Sequence, residues 1–112
     1  MILYHITDQS QWLKHMSETF YLPSNYQADG FIHCSTGDQV LTVAEKYYAD
    51  AENLLLLKID AERVSTEIRF ENLEGGEEKY PHIYGQLNKT AIVGVATFER
   101  DAPGNFNLPE FL

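Results

Sequence analysis

Asp29-Gly30-Phe31-Ile32-His33-Cys34-Ser35-Thr36 decides the fold, because a turn, a short strand and a helix start follow one another inside it. Asp-Gly supplies a residue that tolerates positive φ ahead of an apolar run. Thr36 and Gln39 have the spacing of a capping box. A strand is therefore expected to hand over directly to a helix at Ser35 and Thr36. Alternation along the strand puts Phe31, His33 and Ser35 on one face and Ile32 and Cys34 on the other. A histidine at a strand end, beside the free N–H groups of a helix start, marks a place for an anionic ligand.

Upstream, Ile2 to Ile6 is a short apolar run, and Thr7-Asp8-Gln9-Ser10-Gln11 reads as a helix start capped by Asp8 or Thr7. Trp12, Leu13 and Met16 are the expected apolar stripe of that helix. Phe20 to Leu22 is a brief extended piece, and Ser24 to Gly30 is a polar connector. Downstream, Val40, Val43, Ala44, Tyr47 and Tyr48 recur at helical spacing between Gly37 and Ala49. Leu54-Leu55-Leu56-Leu57-Lys58-Ile59-Asp60 is short and nearly all apolar, which predicts a central strand buried on both faces. A turn of helix is expected from Ala61 to Val64. Thr66 to Glu71 alternates as a half-exposed strand, with Ile68 and Phe70 facing in. Leu73 to Tyr80, with Gly75-Gly76 and several charges, reads as a mobile loop and candidate lid. Pro81 to Gly85 re-enters order, Ala91 to Phe98 is a final strand, and Asp101 to Leu112 is a tail anchored by Phe106, Leu108 and Phe111.

The 112 residues make one expected domain, 1–112, long enough to bury a core without staples. Seventeen acidic residues against eight basic ones leave a net charge of −9, a field that repels phosphate backbones and argues against nonspecific nucleic-acid binding. One cysteine excludes an intrachain disulfide and a cysteine-rich metal framework. The start of the chain lacks the pattern of a secretory signal, and no apolar run approaches the ~20 residues that span a bilayer. The expected location is the cytoplasm, with no membrane partner.

His5, His33 and His82 fall in or beside apolar segments, whereas His15 sits among polar neighbours and reads as a surface residue. Singly, each of the three reads as a partly buried histidine bonded to backbone. Together they point to a polar cluster. His5 shares a face with Thr7, and His33 with Ser35, so adjacent strands would present both pairs to one cleft that binds sugar hydroxyls and phosphate, with a histidine as acid or base. A three-histidine metal site is the rival reading of the same residues. Cys34 should point away from His33 and reads as a small core residue. Glu67, Arg69 and Glu71 share a strand face. That face reads either as solvated or as the cleft rim, where Glu71 would accept from ribose hydroxyls and Arg69 would pair with it or hold a phosphate. Tyr4 and Tyr84 are candidate stacking surfaces for a nucleotide ring. Dinucleotide, P-loop and Gly-x-Ser-x-Gly hydrolase motifs are absent.

Leu3-Tyr4-His5-Ile6-Thr7, Gly30 to Ser35, the Gln39-Val40 helix start, Leu54 to Asp60 and Pro81-His82-Ile83-Tyr84-Gly85, in this order, resemble the bacterial domain-of-unknown-function family DUF952. That family in turn resembles the ADP-ribosyltransferase and RNA 2′-phosphotransferase group. Tyr4-His5-Ile6-Thr7 is similar to the Tyr-His-Gly-Thr of its first strand, and Ile32-His33-Cys34-Ser35 to the Val-His-Leu-Ser of the phosphotransferases. Ile6 departs from the glycine of that pattern, and the substrate-gripping arginines have no counterparts. The resemblance implies a compact α+β domain, ADP-ribosyltransferase-like, with a split mixed β-sheet and two or three helices around a cleft for a nucleotide or phosphorylated ribose, with NAD as the implied cofactor. His5, His33 and Glu71 would be its catalytic residues; Tyr4, Thr7, Ser35, Thr36, Arg69, His82 and Tyr84 would bind ligand. His5 would position a ribose, Ser35 and nearby helix N–H groups would hold phosphate, and Glu71 would orient the accepting hydroxyl. The rival class is a noncatalytic small-molecule-sensing or protein-interaction module with the same cleft.

Overall fold

A computed structural model describes residues 1–101 and 104–110. Its centre is the leucine run. Residues Ile2–Asp8 (β1) pair antiparallel along their whole length with Leu54–Asp60, which is the fourth strand of the chain, β4. On its other side β4 pairs with Ile92–Thr97 (β8), again antiparallel. β4 thus lies between two neighbours, as its unbroken apolar run requires. Leu57 and Ile59 point into one core cluster with Leu3, and Leu54 and Leu56 into a second with Ile6, Val40, Ala44, Phe98 and Phe106.

The second sheet is built on the opening stretch. Ile32–His33 (β3) pairs with Tyr80–Tyr84 (β6), and β6 with Glu67–Glu71 (β5), giving the order β3-β6-β5. Two backbone hydrogen bonds, Tyr4 N to Ser35 O at 2.7 Å and Ser35 N to Tyr4 O at 2.8 Å, stitch β1 to the end of β3. A third, two-stranded sheet joins Phe20–Tyr21 (β2) to Leu87–Asn88 (β7). Helices Gln9–Lys14 (α1), Tyr26–Asp29 (α2) and Val40–Tyr47 (α3) complete the α+β domain. The sheet is split, as expected, but every described pairing is antiparallel, so the expectation of a mixed sheet is corrected. No helix of the described residues is long and apolar enough to cross a membrane.

Local chemistry accounts for most element ends. Asp8 caps α1, its side chain accepting from Gln11 N at 2.8 Å. Gly30 ends α2 at φ 80°, the left-handed conformation that Asp-Gly foretells. The Ser24 to Gly30 connector therefore contains a helical turn that the sequence reading left out. The Thr36–Gln39 pair works as half a capping box: Gln39 Oε1 accepts from Thr36 N at 3.0 Å, and α3 begins only at Val40, after a turn. The handover from strand to helix is thus not direct.

Three packing expectations are corrected. Leu13 and Met16 are exposed, and only Trp12 of that stripe packs on the core, because α1 is too short to lay a whole face down. Phe70 is exposed while Ile68 packs inward. In the tail Phe106 is buried against Phe98, but Leu108 is exposed. Phe111 lies outside the described residues.

Candidate functional site

The alternation read from the opening stretch holds in three dimensions. Ile32 and Cys34 enter the core, with Cys34 also bordering a cavity, and Phe31, His33 and Ser35 face that cavity. There they meet the β6 residues that share their side of the sheet. Phe31 stacks on the His82 ring with centroids 3.9 Å apart and planes 20° from parallel, and the His33 and His82 rings meet edge-on at 5.5 Å.

Each of these histidines is backed by a carboxylate. Glu71 Oε1 lies 2.9 Å from His82 Nδ1, and Asp29 Oδ2 lies 3.0 Å from His33 Nε2. A carboxylate can only accept, so His82 carries its proton on Nδ1 and His33 on Nε2, leaving His82 Nε2 and His33 Nδ1 as the basic nitrogens of the neutral rings. The Tyr84 hydroxyl also donates to Glu71 Oε1. Hydrogen bonds from Tyr84 and His82 hold the Glu71 carboxyl below its ordinary range, and the same carboxylate raises the Tyr84 phenol. Arg69 stands over the Tyr84 ring, 4.5 Å from its centroid, and pairs with Glu67 at 2.7 Å.

This face forms one wall of a cavity of about 440 Å³. The cavity is also lined by Tyr4 and Ile6 of β1, by Val43, Tyr47 and Tyr48 at the end of α3, and by Leu73 and Glu74 of the loop after β5. That loop is organised by Asn72, whose side-chain oxygen accepts from Glu74 N and Gly76 N and whose amide donates to Glu78 O. Gln39 ties it to the start of α3 by donating to Lys79 O at 2.7 Å.

His5 and Thr7 occupy the other face of β1. The His33 carbonyl, 2.6 Å from His5 Nδ1, can only accept, so Nδ1 carries the proton and Nε2 accepts from the Tyr21 hydroxyl at 3.1 Å. The Tyr21 oxygen in turn lies 2.8 Å from Thr7 Oγ1. Burial lowers the His5 pKa to about 4 and pushes the Tyr21 phenol up to about 12. This chain borders a second cavity of about 370 Å³, which shares Ile6, Asn25, His33 and Tyr48 with the first.

Of the residues singled out in the sequence, Tyr4, His33, Cys34, Ser35, Glu71 and His82 therefore line the larger cavity, and His5, Thr7 and His33 the smaller. Arg69 and Tyr84 stand beside Glu71 without lining either, and Thr36 lines neither. Asp29, Tyr47, Tyr48, Tyr80 and Glu74 were not foreseen. The Tyr47-Tyr48 doublet was visible, but helical spacing alone assigns it to packing. No group of three metal-ligating side chains stands ready for an ion among the described residues, and no lysine or arginine lines either cavity. Cys34 is buried, and burial drives its thiol well above the ordinary range, in keeping with a core residue.

Comparison with known proteins gives a consistent picture. The sequence profile described as "Protein of unknown function (DUF952)" matches residues 6–95. The crystal structure of protein CC0527 from Caulobacter crescentus is similar, with a TM-score of 0.83 at 29% identity over 96% of this chain and 95% of that one. Its solution NMR structure matches with a TM-score of 0.80 at 30% identity, over 93% and 90% of the two chains. No curated protein matches the sequence.

Proposed function

The chain belongs to DUF952, a family of proteins of unknown function, and we propose that its cleft binds a small molecule of the nucleotide class, such as NAD or ADP-ribose, by the ribosyl-heteroaromatic end. One observation carries this reading. His82 and Tyr84 orient the Glu71 carboxylate at the cavity wall, both bonding to Oε1, while no hydrogen bond from the described residues engages Oε2. A preoriented acceptor beside tyrosine rings suits a sugar hydroxyl attached to a planar ring. In this reading Oε2 accepts from a ribose hydroxyl, and Tyr4, Tyr48 and Tyr80 flank the ring. Glycosyl or phosphoryl transfer would draw on His33 and His82, whose carboxylate partners fix their tautomers for acid–base work.

A second reading, a noncatalytic sensing module, is favoured by a separate observation: among the described residues no lysine or arginine lines the cavity to neutralise a phosphate or a leaving group.

Calorimetric titration with NAD, ADP-ribose, AMP and adenosine tests both. Saturable binding that weakens about tenfold or more in Glu71→Gln, without a change in melting temperature, is expected. Release of nicotinamide from NAD would select transfer over sensing. Failure of all four ligands to bind overturns the proposal.

A further inference from the structure

The larger cavity has a charge bias that says which ring it takes. Its aromatic lining is Tyr4, Phe31, Tyr47, Tyr48 and Tyr80, and its carboxylates are Glu71 and Glu74. No cationic lysine or arginine lines it among the described residues. Two cations stand at its edge: Arg69 pairs with Glu67 and covers the Tyr84 ring, and Lys46 lies 5.2 Å from the centroid of the lining Tyr47 ring. The chain as a whole carries −9.

We infer that the cavity selects a cationic heteroaromatic ring, one bearing a delocalised positive charge, over its neutral counterpart. This rests on the nucleoside reading above and names the chemical class of its ligand. A neutral ring gains only stacking from tyrosine. A cationic one gains the attraction of the ring quadrupole as well, together with the pull of two carboxylates in a site partly shielded from water. The negative field of the whole chain concentrates cations at the mouth. A phosphate meets the opposite bias. His33 and His82 also line the wall, and a positive charge on either one opposes the bound cation.

The test is a calorimetric comparison of adenosine, N6-methyladenosine and 1-methyladenosine at one fixed pH near neutrality. The last two carry the same added methyl, but only 1-methyladenosine is cationic under these conditions. The expected result is binding of 1-methyladenosine at least ~tenfold tighter than either neutral nucleoside. That preference should shrink toward unity in Glu74→Gln and in Tyr80→Leu, with circular dichroism confirming the fold of each variant. Equal binding of all three nucleosides overturns the charge inference and leaves the nucleoside reading standing. Binding of none overturns both.

Discussion

Glu71 and His82 meet diagonally across the β5–β6 pair: Arg69, not Glu71, is the register partner of His82, yet Glu71 Oε1 reaches His82 Nδ1 at 2.9 Å. Residues two apart on a strand share a face, so Glu67, Arg69 and Glu71 rise beside Tyr80, His82 and Tyr84. The acidic residue at the end of β5 thereby becomes the hub of a polar group that opens on the cavity.

The Glu71 carboxylate raises the Tyr84 phenol by accepting its hydrogen bond. In Glu71→Gln that phenol should ionise at lower pH than in the parent chain, as read by ultraviolet or NMR titration with Tyr84→Phe identifying the signal. An unmoved Tyr84 titration would contradict the contact.

His5 makes the fold sensitive to acid. Burial depresses its pKa from 6.5 to about 4, so between these values the unfolded chain takes up a proton that the folded chain refuses. Its contribution is fully present above the unfolded pKa and is lost as pH falls through that window, by roughly 3 kcal/mol at about 1.36 kcal/mol per pKa unit. Denaturant unfolding at a series of pH values should show the fall. His5→Asn should flatten it, whatever its effect at neutral pH; an equally steep profile in the variant would assign the acid sensitivity elsewhere.

Gly85 has φ 140°, and a Cβ there would lie 2.6 Å from Thr66 Cγ2. Gly85→Ala should cost about 2–3 kcal/mol from backbone strain and overlap together, measured by denaturant unfolding. A loss under about 0.5 kcal/mol would mean that the turn relaxes freely.

The same threonine has a buried Oγ1 with no hydrogen-bond partner among the described residues. Thr66→Val removes that unsatisfied hydroxyl at nearly constant shape and should be neutral or stabilising by up to ~1 kcal/mol. A clear destabilisation would show that the hydroxyl has a partner in solution.

Asn72→Ala removes three hydrogen bonds that organise the Leu73 to Lys79 loop. Proteolysis at Gly75-Gly76 should accelerate severalfold while global stability changes by less than about 1 kcal/mol, since exposed loops open locally. Unchanged cleavage would mean that the loop is held by other contacts, such as that from Gln39.

Much that depends on short-range periodicity was legible in the sequence, although the apolar stripe of α1 and the side taken by Phe70 were not. The unbroken Leu54 to Leu57 run required a strand with neighbours on both sides, Asp29-Gly30 required a left-handed turn, and alternation separated Phe31, His33 and Ser35 from Ile32 and Cys34. Side-chain direction along a strand follows from the two-residue repeat alone. The partners of each face were not legible, because strand order and register are set by which apolar surfaces close on one another across long stretches of chain. Only that closure stacks Phe31 on His82, turns His5 away from the larger cavity into a buried chain with Tyr21 and Thr7, and brings the end of α3 over the β3–β6 face. The residue types of the candidate site are thus a property of the sequence, and their division between two cavities is a property of the tertiary packing.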